Sequence, residues 1–219
     1  MRRSALIVLV ILLLAFLIFQ TTVAKKQTPE ARFGHRMVYD SFNKRTLLYG
    51  GSLEDPETVY FDDTWTFDAF KNEWAKLNPA TKPLGRISPG LAYDSDDQVV
   101  VLFGGFGGSG TGSRLSDTWL FDVKTGNWRE AKPARSPQAR SDMGMTYDST
   151  LKKVLLFGGL NDKTPGVLDD TWVYDIPSNT WIELRPTSKP RPQYGLSIVY
   201  DSVNEKTLLY EGHWIISWP

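Results

Sequence analysis

The 219-residue sequence contains no cysteine. That excludes disulfides, thiol catalysis, cysteine acylation and cysteine-ligated metals. Only two histidines are present, His35 and His213, too thin a ligand set to point to a metal site, and no metal or other cofactor is expected. The chain has no Asn-x-Ser/Thr sequon. It also lacks an excess of charge of either sign: 25 Lys and Arg face 25 Asp and Glu, with no block of like charge. That argues against nucleic acid or an anionic membrane surface as partner. After position 30 no window of about ten residues keeps a convincing helical period.

What the chain does have is a repeat. Tyr39-Asp40 recurs as Tyr93-Asp94, Tyr147-Asp148 and Tyr200-Asp201, at intervals of 54, 54 and 53 residues. Ten residues after the Asp comes a glycine pair, Gly50-Gly51, Gly104-Gly105 or Gly158-Gly159, replaced in the fourth copy by Glu211-Gly212. Asp-Thr-Trp follows at 63–65, 117–119 and 170–172. Each copy closes with an aromatic residue and a Trp: Phe67 and Trp74, Phe121 and Trp128, Tyr174 and Trp181. A fixed period near 50 marks units that bury their cores against one another.

Each unit reads as four short strands. In the third copy Gly144 to Asp148 is a strand, residues 149–152 reverse the chain, and Val154-Leu155-Leu156-Phe157 is an apolar run with both faces buried. Thr171-Trp172-Val173-Tyr174 and Thr180-Trp181-Ile182-Glu183-Leu184 flank a turn at 175–179. These residues resemble the kelch motif, whose hallmarks are the glycine pair after an apolar strand and the spaced aromatic–Trp pair. The resemblance covers roughly residues 32 to 212. It implies an all-β, kelch-type β-propeller of the galactose-oxidase-like kind, with the Tyr-Asp strand innermost and the Trp strand outermost in each blade. The oxidase's copper site needs a cysteine-modified tyrosine, so that activity does not transfer to this chain.

The repeated residues are read first as architecture. The second glycine of each pair needs a positive φ or a close backbone approach. The Asp before Thr-Trp is expected to accept backbone N–H bonds at a strand start. Arg32, Arg86 and Arg140, each seven residues before its Tyr, are expected to donate hydrogen bonds between blades. The paired aromatics are expected to fill the space between blades.

The N-terminus is the exception to the scarcity of apolar runs. Met1-Arg2-Arg3 precedes fifteen consecutive apolar residues, 5–19, and Gln20-Thr21-Thr22-Val23-Ala24 leads into Lys25-Lys26. Residues 1–24 read as a signal peptide or an uncleaved N-terminal membrane anchor. Residues 25–31 then form a short linker, and residues 32–219 the propeller segment, with repeats at 32–85, 86–139, 140–190 and, in part, 191–219. On either reading residues 25–219 lie outside the cytoplasm.

No catalytic set stands out. Residues 105–110 match G-x-G-x-x-G, but no βαβ unit surrounds them, so they read as a loop between two strands. Asp94, Asp96 and Asp97 read as a solvated turn. The loops after the glycine pairs differ between copies, and variable loops on a repeated frame are where binding is usually placed. Glu54, Asp55, Tyr60 and Phe61 lie in the first loop, Phe106 and Arg114 in the second, and Asn161, Asp162 and Lys163 in the third. The function expected is a binding scaffold for a protein or glycan. One alternative is a carbohydrate-acting enzyme using Arg32, His35, Arg36, Arg86 and Arg140 at one mouth of the channel. The other is a truncated propeller without independent function. Three full blades, at 32–78, 86–132 and 140–185, and a half blade with strands at 195–200 and 206–210 predict an open ring. Its exposed ends favour self-association or a partner that completes the ring.

Overall fold

The computed structural model describes residues 27–54, 58–108, 112–163 and 166–210, so the expected leader or anchor, Asp55 and His213 lie outside the described residues. Blade 1 contains β1 (Arg36–Asp40) and β2 (Arg45–Tyr49), a short hairpin β3 (Ser52–Glu54) and β4 (Thr58–Tyr60), then β5 (Thr64–Asp68) and β6 (Glu73–Leu77). Blade 2 is entered through β7 (Arg86–Ile87) and contains β8 (Gly90–Asp94), β9 (Val99–Phe103), β10 (Phe106–Gly107), β11 (Ser113–Arg114), β12 (Thr118–Asp122) and β13 (Asn127–Ala131). Blade 3 is β14 (Gly144–Asp148), β15 (Lys153–Leu160), β16 (Val167–Asp175) and β17 (Thr180–Leu184). A two-stranded fourth unit follows, β18 (Ser197–Asp201) and β19 (Lys206–Tyr210).

The four-stranded sheets run β1-β2-β5-β6, β8-β9-β12-β13 and β14-β15-β16-β17, all antiparallel, with the Tyr-Asp strand at one edge and the Trp strand at the other. The described residues make an arc of three blades and a half that does not close on itself, as the repeat count predicts.

The Asp of each Tyr-Asp pair makes the inner hairpin. Asp40 Oδ1 accepts the N–H of Phe42 and Asn43 at 3.0 and 3.2 Å, and Asp94, Asp148 and Asp201 repeat the contact. Such side-chain caps stabilise tight turns. The turn ends on a residue with positive φ: Lys44, Gln98, Lys152 and Glu205. The Asp94, Asp96, Asp97 cluster is one of these turns.

Blades pack face to face through two cores. Leu47 and Tyr49 of blade 1 meet Leu102, Phe121 and Trp128 of blade 2. Val101, Phe103 and Leu120 of blade 2 meet Met145, Leu156, Tyr174 and Trp181 of blade 3. The closing tryptophans knit the seams. Trp128 sits edge-on to Tyr49 with centroids 5.2 Å apart and donates its indole N–H to Thr64 at 2.9 Å. Trp181 does the same with Phe103 at 5.1 Å and Thr118 at 3.0 Å. Buried aromatic pairs of this geometry stabilise beyond their area by roughly 0.5–1.5 kcal/mol each.

Two expectations are corrected. The arginines do not bridge blades with their side chains. Arg86 donates to both carboxylate oxygens of Asp117 at 2.7 and 2.8 Å and to the carbonyl of Gly104 at 2.9 Å, all within its own blade. Arg140 meets Asp170 and Gly158 in the same way, and Arg32 meets Asp63 and Gly50. Correspondingly, these aspartates accept mainly from guanidinium and indole N–H groups, as from Trp119 at 2.7 Å, rather than from backbone at a strand start. What crosses between blades is the arginine's own carbonyl: Gly51 N–H donates to Arg86 O at 2.9 Å, and Gly105 N–H to Arg140 O at 2.8 Å. This approach explains the glycine pair. Both members have positive φ, and a Cβ on Gly104 would lie 2.6 Å from Arg140 O.

Candidate binding face

The loops that follow the glycine pairs share one end of the arc with the connectors that enter the inner strands. β10 pairs on one side with β11 and on the other with β7, which belongs to the connector. Within 105–110, Phe106 and Gly107 are therefore strand-paired, with Gly108 N–H donating to Gly85 O at 3.0 Å, and residues 109–110 lie outside the described residues.

Across this end the three loops touch. The Tyr60 ring from blade 1 lies edge-on to Phe106 of blade 2, centroids 6.1 Å apart. The Arg114 guanidinium lies 5.8 Å from the Phe106 ring and pairs with Asp162 of blade 3. Four of the residues expected to bind, from three separate blades, thus form one row, Tyr60–Phe106–Arg114–Asp162. Arg114 is mostly covered, and its Nε is buried without a hydrogen-bond partner. Asp162 is open to solvent. Glu54 is exposed at the end of β3. Asn161 caps the third loop by accepting the N–H of exposed Lys163 at 2.9 Å. Phe61 is not brought into the row; its ring lies 3.9 Å from the Arg32 guanidinium, against the blade's own ion pair.

At the inner strands opens the mouth of the arc, a cavity of about 500 Å³ bordered by β1, β8, β14 and β18 and the connectors just before them, among them Arg36, Ser88, Asp142 and Ser197. Successive blades are tied here by backbone bonds. Ser88 N–H donates to Gly34 O at 2.7 Å, Asp142 N–H to Ser88 O at 3.0 Å, and Gly195 N–H to Asp142 O at 2.8 Å. All four residues have positive φ, and Ser88 and Asp142 adopt it without being glycine. Strain of this kind persists only where the surroundings enforce it. Arg36 is the cation of the mouth. Burial pushes its pKa down, and the carboxylate of Asp142 opposes that.

Ser88 and Asp142 are not among the residues that the sequence singles out. One signal was available: they stand five residues before their Tyr, where the first and last copies have Gly34 and Gly195. Three of the four arginines considered for an enzyme are not free for chemistry; the fourth, Arg36, lines the mouth. The side chains of Arg32, Arg86 and Arg140 are almost wholly buried in their ion pairs. His35 lies just before β1, with Nδ1 buried and unpartnered. Burial, then the neighbouring Arg32 charge, push its pKa down, so it stands as a neutral imidazole near pH 7. No group of three or more His, Asp or Glu placed to hold a metal is found among the described residues.

Four-stranded blades with an inner Tyr-Asp strand, a glycine pair that passes the chain under the next blade's connector, and an outer Trp locked on its neighbour define a kelch-type β-propeller. The chain belongs to that family: residues 4–212 match the KLHDC2/KLHL20/DRC7 Kelch-repeats domain. Kelch-repeat domains mediate protein interactions. The chain is 27% identical over 173 residues to Mei4-dependent protein 6 of Schizosaccharomyces pombe, covering 74% of this chain and 24% of that protein. It is 30% identical over 139 residues to Kelch domain-containing protein 1 of Mus musculus, covering 60% and 32%. It is 29% identical over 122 residues to tRNA wybutosine-synthesizing protein 2/3/4 of Arabidopsis thaliana, covering 54% and 12%. The chain therefore spans a third or less of the length of these relatives.

Proposed function

We propose that this chain is a protein-binding scaffold whose docking surface is the glycine-loop end of the arc. The observation that carries this reading is the row Tyr60–Phe106–Arg114–Asp162, which draws one surface from three blades. Aromatic and Arg side chains gathered from separate loops are the composition of binding hot spots. A protein segment with an acidic group meets Arg36 in the mouth, and an apolar side chain meets Phe106 and Tyr60. The burial of the repeated arginines in ion pairs favours a scaffold over an enzyme.

The scaffold works outside the cytoplasm in this reading. Its support is the charged start, the apolar run at 5–19 and the small residues up to Ala24. Residues 1–24 either direct export and are removed or stay as the anchor.

The test pairs the full chain with variants Tyr60→Ala/Phe106→Ala and Arg114→Glu. Partners cross-linked to the intact chain at the cell surface are identified by mass, and a glycan array is run alongside. Saturable protein binding that both variants lose, with unchanged circular dichroism, supports the reading. Binding to glycans alone, or equal binding by all forms, overturns it. Resistance of the blades to protease added outside intact cells, combined with cleavage after lysis, overturns the location.

A further inference from the structure

The two ends of the arc carry opposite halves of the seam that joins its blades. In each internal seam, the aromatic nine residues after the Tyr-Asp aspartate meets the closing Trp of the next blade: Tyr49 with Trp128, and Phe103 with Trp181. In the fourth unit that aromatic is Tyr210, which is 79% exposed. In blade 1 the closing Trp is Trp74, only partly buried beside Phe67, with no hydrogen bond to its indole N–H among the described residues. Phe103 and Trp181, which hold the same positions in the middle seam, are almost wholly buried.

The match extends along both faces. Val199 and Leu208 hold the positions of Ala92 and Val101, and Met37 and Tyr39 those of Met145 and Tyr147. The second set of each pair is buried, and the first four residues are all exposed. The backbone chain at the channel mouth has matching open ends as well. The N–H of Gly34 and the carbonyl of Gly195 have no backbone partner among the described residues, whereas each internal position is bonded to the next blade.

We propose that a second copy of this chain docks blade 1 on the exposed face of the fourth unit, placing Trp74 of one copy against Tyr210 of the other. Two copies related by a two-fold along the channel then form both seams at once and close one ring. A second copy is chosen because each end offers what the other lacks, position by position, and both ends occur in one chain. Four blade positions per copy among the described residues give eight in the pair, within the usual range of about four to eight blades. Head-to-tail contacts stay finite when the rotation closes. This assembly is independent of the loop-face reading, because its residues lie on the blade faces.

The absence of cysteine makes a clean test. A Cβ on Gly90 would meet Met145 and one on Gly144 would meet Ile198, so the third residue before a Tyr faces the second residue before the next Tyr. The corresponding pair across the proposed seam is Ser197 with Met37. The double variant Ser197→Cys/Met37→Cys of the full chain is oxidised in native extracts and run without reductant. A species of twice the chain mass is expected, absent from either single variant and lost when Trp74→Arg is added. Sedimentation of the unmodified chain should give the dimer mass. A disulfide within one chain would mean that the arc closes on itself. No disulfide together with a monomer mass would mean that the faces do not meet. Either result overturns the proposal.

Discussion

Arg86 grips Asp117 in a two-pronged pair, Nη1 and Nη2 each bonded to a separate carboxylate oxygen, with the arginine side chain wholly buried and the aspartate largely so. The pair ties the connector that enters blade 2 to the start of the blade's third strand, 31 residues on. The same guanidinium bonds the carbonyl of the first glycine of the pair. One residue therefore sets the connector, the glycine turn and the third strand together. Removing one partner leaves a buried charge unpaired, which costs about 3–5 kcal/mol. Arg86→Ala is expected to lose that much in urea denaturation. Arg135→Ala, which removes an exposed partner of Glu183, is expected to cost less than about 1 kcal/mol. Equal losses would contradict the role given to Arg86.

These pairs also set the response to acid. Burial of the Asp117 carboxyl opposes its ionisation, but the bonds and charge of Arg86 and the Trp119 indole outweigh burial and hold its pKa below the ordinary value. Asp63 and Asp170 stand in the same balance. A pKa lowered by folding means stability that is present above the unfolded value, about 3.9 for Asp, and is lost as pH falls below it toward the folded value. The urea midpoint should hold near neutrality and drop below about pH 4, over that same window. Asp117→Asn should make the drop shallower as well as lowering the starting stability; an unchanged slope would count against the assignment.

Two glycines with positive φ separate strain from crowding. Gly126 (φ 70) has nothing within 4 Å of a built Cβ, whereas on Gly105 (φ 103) a Cβ would lie 2.9 Å from the Ile87 carbonyl. Gly126→Ala carries only the left-handed cost of about 1–2 kcal/mol. Gly105→Ala adds a backbone clash and should be the more destabilising by a margin that calorimetry resolves. The reverse order would show that the glycine pair is not there for the close approach.

The blades were legible because their signals repeat. Tyr-Asp, the glycine pair and the closing Trp recur at fixed spacing, so one copy checks another, and strand order, hairpins and aromatic seams followed. The Arg–Asp clamp was not legible as a pair. Its members are far apart in sequence, and which strand start faces which connector is a property of the folded blade. That is why a donor expected to reach between blades turned out to act within one. The loop residues could be named but not joined. Nothing in the spacing of Tyr60, Phe106, Arg114 and Asp162 says that loops from three blades meet. Ser88 and Asp142 were hidden for another reason: a positive φ is visible in sequence only when glycine takes it.

The closing tryptophans give a last measurement, one that reads the ends of the arc through stability. Trp128 and Trp181 are both 2% exposed, each packed edge-on against a neighbouring blade's aromatic and bonded to that blade's threonine. Cutting either to Ala removes about 3–5 kcal/mol by the usual cost of an emptied aromatic site. Trp74 has the same place in its own blade, 4.9 Å from Phe67, but no neighbour across the seam among the described residues. In an isolated chain Trp74→Ala should therefore cost distinctly less than Trp181→Ala. If a second copy covers that face, the cost of Trp74→Ala grows with protein concentration, because dissociation becomes part of unfolding. Melting curves at several concentrations distinguish the cases. A Trp74→Ala loss as large as that of Trp181→Ala and independent of concentration would mean that the chain's own residues already cover the blade 1 face.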